Sequence, residues 1–537
     1  MTPKRSFNLA DVFEAVAAAV PERIAFICGP QQLSFRELDE RATRLASALR
    51  AQGLQRGDNV GIELYNSAEY LETFFACCKI GAVPANINYR YVADELTHLF
   101  RSLDLKVLIY GAEFAGEVGK VASQVPKLRT LVQVGPGEGV AGALDYAALQ
   151  ASGSPALEDP GRNDQDLSLL CTGGTTGMPK GVIWPHRNLF FGALGGGGIY
   201  LRRSPFESVE ELAATIPHAP PMRFLALAPM MHGAAMWSSL ISLFTGHTVV
   251  VNDQQTFDPL HVWDVVVRDG VHIVSGVGDT MALPLVKALE AHPGRWDLQQ
   301  VRVYGNGGAM LSTHLAERIQ AAIPHVVVTN GMGSSETGVM GGGEKPRDGD
   351  GFLVLEPRPD LAVIDVPMHI VTAPGSRGIL ARTGFTPVGY YGDAKKTAET
   401  FVTVEGRVWV LSGDEARIDA EGRIVVLGRG SQCISTGGEK VFPEEVEEAV
   451  RRYPAVHDVL VVGLPDERWG QRVAAVIELT PGAPFDPAAL DHICREHLAG
   501  YKAPRAVFLA DKVVRSPAGK ADYRWAKDFA SRHTSVI

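Results

Sequence analysis

Apolar positions recur at helical spacing through LSFRELDERATRLASALRAQG, residues 33–53, and stop at Gly53. The pattern predicts an amphipathic helix closed by a glycine. NVGIELYN then reads as a strand, SAEYLETFFACCKIGAVPANIN as a helix leading to a second strand, and ELTHLFRSLDLKVLIYG repeats the alternation. The rhythm returns across residues 255–330, where VHIVSGVG, VRVYGNGG and HVVVTNGMG read as strands ending in Gly-rich turns. Alternation of this kind predicts an α/β fold built on parallel sheets, with ligands outside the carboxyl ends of the strands. After about residue 375, GILARTG, RVWVLSGD, EARIDAEG and RIVVLGRG read as short strands separated by Gly-bearing turns, a β-rich antiparallel layer. From residue 442 the helix PEEVEEAVRRYP, the strands VHDVLVVGLPD and RVAAVIEL, and the helix AALDHICREHL form an α+β unit. The expected division is 1–428 and 429–537, with the boundary at Gly428–Gln432. The run Gly195–Gly198 predicts a strongly flexible segment, and residues 195–223 are expected to contain mobile loop.

Composition narrows the classes of function. A chain of 537 residues, 46% hydrophobic and 21% charged, has material for more than one core. The net charge of −10 argues against a broad nucleic-acid footprint, so a phosphate-bearing ligand must be held by local groups. Six cysteines are scattered without a CxxC pair, the usage of a reducing cytosol. The N-terminal segment reads as an amphipathic helix, and the apolar stretch Phe224–Val251 is broken by Pro229, His232, Gly233, Gly246 and His247. It reads as a buried helix followed by a buried strand. The expectation is a soluble, cytoplasmic protein with no integral membrane association.

The chemistry concentrates in CTGGTTGMPKGVIWPHRN, residues 171–188, which follows the apolar DLSLL and so leaves a strand as a Gly/Thr-rich loop. Small residues let backbone N–H groups approach phosphate oxygens, threonine hydroxyls add donors, and a lysine adds charge. It is not a Walker A loop, because Lys180 follows Pro179 and precedes Gly181. GNGGAML, residues 305–311, fails the G-x-G-x-x-G pattern at Met310, which argues against a dinucleotide-binding dehydrogenase.

TGGTTGMPKGV resembles the phosphate-loop signature of the adenylate-forming enzymes: acyl-CoA synthetases, peptide-synthetase adenylation domains and firefly-type luciferases. APMMHG (228–233) resembles the acyl-pocket motif of that superfamily, GNGGAML its adenine-contacting turn, and NGMGSSETG (330–338) its G-x-T/S-E segment. YYGDAKKTAETF, VWVLSGDEARIDAEG, GRGSQCISTGGEKVFPEEVE and YKAPRAVFLADKVVRSPAGK match its later motifs, in order, ending at Lys520. Within the superfamily, the combination looks most like bacterial CoA ligases for long-chain and steroid side-chain acids.

The resemblance implies a two-step reaction using ATP, Mg2+ and coenzyme A. A carboxylate attacks the α-phosphate to give acyl-AMP and pyrophosphate, and the CoA thiol then displaces AMP. It implies that Thr172, Gly173, Gly174, Thr175, Thr176, Gly177 and Lys180 hold phosphates, and that Glu336 coordinates magnesium. Gly307, Gly308 and Ala309 would contact the adenine and Met332 lie against it, Asn330, Gly331, Gly333 and Ser335 would also bind the cofactor, and Asp414 and Arg429 the ribose. Lys520 would present its ammonium to the reacting carboxylate and α-phosphate, and His232 would stand at the acyl entrance near Trp237. A small mobile C-terminal domain would bring first Lys520 and then the STGGEK segment, with Gly437 and Gly438, to the site.

Two positions depart from the superfamily pattern. The pivot residue is Ser431 followed by Gln432, and the position that usually stacks an aromatic on adenine is Met332. Four readings stay open at the sequence level: a ligase using free CoA, an adenylating enzyme serving a carrier protein, a luciferase-like oxygenase, and a silent nucleotide- or acyl-binding homologue. A small-molecule acid is the expected partner, and a homodimer is left open.

Overall fold

The computed structural model describes residues 5–158, 160–173, 178–308, 311, 313–341, 353–365, 368–429, 434–441, 443–514 and 522–537. The helix expected at 33–53 spans Phe35–Ala51. It starts in a capping box: Ser34 Oγ accepts from Glu37 N at 3.2 Å, and the Glu37 carboxylate accepts from Ser34 N at 2.7 Å. The next helix, Ala68–Ile80, is buried along almost its whole length and stops at the left-handed Gly81.

Two large sheets carry the first 340 residues. One has eight strands, in which Leu167–Gly173, Val83–Asn86, Asn59–Glu63, Val107–Gly111, Thr130–Val134 and Leu144–Asp145 run parallel in that spatial order. Pro179–Pro185 adds to it antiparallel. The other has seven, with Val327–Asn330, Val303–Asn306, Ile273–Gly276, Arg223–Ala226, Thr248–Val251 and Ile24–Cys28 parallel. Helices between the sheets fill one apolar cluster that includes Phe13, Phe35, Phe75, Phe190 and Phe244. Both sheets are buried on two faces, which is why their strands are near-continuous apolar runs.

A third, antiparallel sheet is the β-rich layer. Here the expected short strands RVWVLSGD and EARIDAEG are one strand, Arg407–Ile418. Gly413 adopts φ +78 inside it and a register shift falls at Glu415/Ala416, so the glycine marks an irregularity rather than a turn. Residues 195–223, expected to contain loop, are partly regular. It contains a 3-10 turn at Gly195–Gly197, the helix Val209–Thr215 and a further 3-10 turn at Ile216–His218. Ser208 caps that helix by accepting from Glu211 N, and Phe206, Val209 and Leu212 bury themselves in the main core.

The C-terminal part is a five-stranded sheet around Val456–Asp466 and Gly470–Leu479, covered by the helices Pro443–Arg451, Pro487–His497 and Tyr523–Arg532. It has its own apolar clusters. Among the described residues, no helix is long and apolar enough to cross a membrane.

Candidate active site

The strands Ile273–Gly276, Val303–Asn306 and Val327–Asn330 end side by side, and asparagines knit their ends together. Asn306 Nδ2 donates to Asn330 Oδ1 at 3.0 Å, while Asn306 Oδ1 accepts from Gly278 N at 2.6 Å and its carbonyl from Gly331 N at 2.7 Å. Asn330 is therefore a brace for the turn. Gly307, Gly308, Gly331, Met332 and Gly333 line a cavity of about 1320 Å³ that opens above these ends.

Thr172, Ser335, Glu336 and His232 line the same cavity. Thr172 pairs across the antiparallel ladder with Lys180, and Gly173 with Pro179. Gly174, Thr175, Thr176, Gly177, Ala309 and Lys520, together with Ser431 and Gln432, lie outside the described residues. Lys180 Nζ is 2.6 Å from Asp393 Oδ2, at the cap of the helix Ala394–Thr400. The Lys180 ammonium holds the Asp393 carboxyl below its ordinary value. Glu336 Oε1 accepts from Tyr390 Oη at 3.1 Å. Arg382, almost fully buried, holds the preceding turn by donating to Thr337 O at 2.6 Å, Val339 O at 2.9 Å and Gly192 O at 2.7 Å.

The segment 228–232 is clamped by two asparagines. Asn66 Nδ2 donates to Ala228 O at 2.8 Å and Asn66 Oδ1 accepts from Met230 N at 2.6 Å. Asn86 Nδ2 donates to Met231 O, and Asn86 Oδ1 accepts from Cys171 N at 2.7 Å, tying this segment to the strand that carries Thr172. His232, so placed, begins the helix Gly233–Phe244. Asp414 lies directly opposite Arg429 on adjacent strands, so these two are brought together, although Asp414 is not part of the cavity wall.

A hairpin from the C-terminal part enters the cavity. Its strands, Ile434–Thr436 and Glu439–Val441, are joined by Gly437 at φ +59 and Gly438 at φ +83. A Cβ on Gly438 would stand 2.8 Å from Val277 Cγ1, so both the backbone angle and the close approach require glycine here. Glu439 Oε1 lies 2.8 Å from His232 Nε2 and 2.6 Å from Arg90 Nη1. Burial opposes its ionisation, but His232 and Arg90 outweigh burial and hold the carboxyl below its ordinary value. Glu439, Arg90, Asp393, Tyr390 and the two clamping asparagines were not among the expected site residues. Glu439, Asp393 and Tyr390 sit inside the quoted motifs; Arg90, Asn66 and Asn86 lie in none.

A glycine-walled cavity at the ends of parallel strands, entered by a hairpin from the C-terminal part, defines an α/β protein with a ligand site at its strand ends. The chain belongs to the AMP-binding enzyme family, whose sequence profile matches residues 13–382, with the AMP-binding enzyme C-terminal domain matching 445–520. It is 39% identical over 534 residues to the 3-oxocholest-4-en-26-oate–CoA ligase of Rhodococcus rhodochrous, covering 97% of this chain and 96% of that one. It is 40% identical over 547 residues to the medium-chain acyl-CoA ligase Mig of Mycobacterium avium, covering 98% of each. Its fold matches the amide bond synthetase McbA of Marinactinospora thermotolerans, with TM-score 0.79 and 21% identity over 96% of this chain and 99% of that one. It also matches o-succinylbenzoate CoA synthetase of Bacillus subtilis, with TM-score 0.77 and 22% identity over 98% and 99%.

Proposed function

We propose that the chain is an ATP-dependent, AMP-forming acyl-CoA ligase for a medium- or long-chain fatty acid or a bulky alicyclic acid of steroid type. The observation that carries this reading is the glycine hairpin seated in the cavity against Val277, with Glu439 on His232 and Arg90. A narrow thioalkyl chain can pass a wall built of glycine backbone, so the hairpin suits delivery of a thiol to a bound acyl group. The substrates named for the relatives, a 3-oxo steroid acid and medium-chain acids, support the acid class.

In the first step the acid's carboxylate attacks the α-phosphate and pyrophosphate leaves. Thr172 and Lys180 flank the loop that would hold the phosphates, and Asp393 aims the lysine. Both reactants are anionic, so the work is alignment and charge neutralisation. In the second step the CoA sulfur attacks the acyl carbonyl and AMP leaves. We assign Lys520 to the first step and the Gly437–Gly438 turn to the second, with the division between units at 428–432.

Magnesium fits the donors present. Among the described residues no group of three or more His, Cys, Asp or Glu could cage a metal ion. Glu336 offers the cavity a carboxylate oriented by Tyr390. One carboxylate completed by substrate phosphates is a common Mg2+ donor set, so Glu336 would hold the ion, which when bound neutralises phosphate charge.

The test is pyrophosphate release with MgATP across short, medium and long fatty acids, aryl acids and steroid side-chain acids, with and without CoA. Release that turns over repeatedly only with CoA is the expected result. Release indifferent to CoA, or none with any acid, would sink the reading.

A further inference from the structure

His232 and Glu439 lie 207 positions apart and meet at the wall of the cavity. His232 directly precedes the helix Gly233–Phe244, and Glu439 opens the second strand of the hairpin, immediately after Gly438. The contact is 2.8 Å from Glu439 Oε1 to His232 Nε2, and the same carboxylate oxygen takes Arg90 Nη1 at 2.6 Å. Glu439 is therefore fixed from two sides. The space beside the pair is narrow: the Cβ that Gly438 lacks would stand 2.8 Å from Val277 Cγ1, and the one that Gly308 lacks would stand 3.7 Å from that atom and 3.6 Å from Ala234 Cβ. Gly438, Val277, Gly308 and Ala234 are thus successive neighbours. One end of that series is next to Glu439 in sequence, and the other is two residues from His232. A thin chain passing the glycine turn arrives beside the imidazole.

The partner on one nitrogen decides what the other can do. In a neutral imidazole one ring nitrogen carries the proton and the other a lone pair. An ionised carboxylate only accepts, so Nε2 carries the proton toward Glu439 and the lone pair falls to Nδ1. Among the described residues, Nδ1 has no hydrogen-bond partner. A carboxylate that orients an imidazole, with the second nitrogen open in a ligand cavity, is the arrangement that activates a nucleophile.

We propose that His232 is the general base that takes the proton of the incoming thiol in the second half-reaction, and that Glu439 is the positioning residue that holds its ring for the task. The proposal rests on the ligase reading and adds the residue that makes the nucleophile. The S–H bond breaks and its proton goes to Nδ1. The sulfur's electron pair forms the C–S bond of the thioester, while the C–O bond to AMP breaks and leaves its pair on the phosphate oxygen. The imidazolium then gives the proton to water. A thiol with a pKa of about 8.5 is only about 3% ionised at neutral pH, and the thiolate is the nucleophile, so a base beside the glycine turn raises the rate where the thiol enters. The hairpin that admits the thiol also carries the carboxylate that orients its base.

The experiment supplies preformed acyl-adenylate and CoA to wild type, His232→Gln and Glu439→Gln in single turnovers, from about pH 6.5 to about pH 9.5. His232→Gln is expected to slow thioester formation by roughly a hundredfold near neutral pH. That deficit should shrink to about fivefold at the alkaline end, where the thiol ionises unaided. Glu439→Gln keeps an acceptor for Nε2 but loses the charge, so it should slow the step by about tenfold, with a deficit that shrinks in the same direction. It also serves as the test if His232→Gln does not fold. The other groups facing the pair do not imitate this trend. Glu445 and Glu95 hold Lys502 in its charged form, burial raises the phenols of Tyr89, Tyr91 and Tyr501, and an arginine such as Arg90 is cationic throughout.

A deficit of the same size at every pH in His232→Gln, or in Glu439→Gln where it serves instead, overturns the proposal, because a pair that only held the hairpin would be missed equally at all pH values. Wild type forming thioester in that case leaves the ligase reading intact. No thioester from wild type with any acyl-adenylate removes the ligase reading and the base with it.

Discussion

Glu95 and Lys502 stand 407 positions apart in sequence and meet at 2.6 Å, carboxylate Oε1 to ammonium Nζ, both almost fully out of solvent. Glu95 belongs to the helix Ala93–Ser102 of the larger unit, and Lys502 follows the helix Pro487–His497 of the smaller one. Lys502 also reaches Glu445 at 2.7 Å and lies 5.0 Å from the centroid of the Tyr91 ring. Burial alone would lower the ammonium's proton affinity, but Glu445 and Glu95 outweigh burial and raise it. The lysine therefore stays charged, and the pair ties the hairpin's part of the chain to the helix Ala93–Ser102.

Replacing Glu95 by Gln keeps the shape and removes the charge across the seam, while Glu445 still partners the lysine. We expect thioester formation from supplied acyl-adenylate to fall by about tenfold, with pyrophosphate release nearly unchanged. Equal loss in both assays would mean that the pair serves stability rather than docking.

Gly438→Ala and Lys520→Ala should divide the reaction in opposite ways. An alanine at φ +83, with its Cβ driven against Val277, costs about 1–2 kcal/mol in the docked arrangement, so the CoA-dependent half should slow by roughly tenfold. Lys520→Ala should instead lower adenylation by about two to three orders of magnitude and spare transfer from preformed acyl-adenylate. Single-turnover assays of each half-reaction decide. Loss in the same half for both variants would refute the division of labour.

Acid should weaken the fold through His186. Its ring is fully buried, accepts from Leu9 N at 3.4 Å and faces Cys78 Sγ at 3.8 Å; burial above all pulls its pKa from 6.5 down to about 4. As pH falls, the unfolded chain takes up this proton before the native one does. The stability supplied by the neutral ring is therefore whole above 6.5 and lost between 6.5 and about 4, in total about 3 kcal/mol. Urea midpoints of wild type and His186→Gln, followed across that window, should converge as pH falls. Parallel curves would exclude the histidine.

Glu63 carries the opposite sign. It ends the central strand Asn59–Glu63 fully buried, with no hydrogen bond to Oε2; burial and then the charge of Glu117 push its carboxyl well above the usual range. The native state keeps a proton that the unfolded chain releases above about 4.5, so this group's contribution declines as pH rises. The stability of Glu63→Gln relative to wild type should grow with pH. A difference that does not change between mildly acidic and alkaline buffers would show that Glu63 is ionised in the fold.

The α/β alternation was legible because buried parallel strands leave long apolar runs, and Gly53 and Gly81 punctuate the helices as such signals should. The misreadings have physical causes. Gly413 looked like a turn because a glycine inside a strand and one between strands read alike until pairing is known. The Gly195–Gly198 run marked a segment containing loop but did not reveal that Phe206, Val209 and Leu212 anchor part of it in the core. For the site, the hairpin glycines Gly437 and Gly438 announce themselves by type and spacing. Arg90, Asn66 and Asn86 do not, because their roles arise from contacts spanning more than 80 residues of chain. No local pattern records such partners.

The contacts fastening the C-terminal unit are mostly ionic: Arg90–Glu439, His232–Glu439, Glu95–Lys502 and Asp94–His497, beside a small apolar touch at Ala499 and Tyr501. An apolar seam of that extent would resist separation in proportion to its area. Charged groups recover hydration when they part, which offsets part of the attraction lost, so these contacts specify geometry more than they add strength. The placement of the C-terminal unit is therefore written in a few charges, and single charge changes at Arg90, Asp94 or His497 would retune it without touching either core.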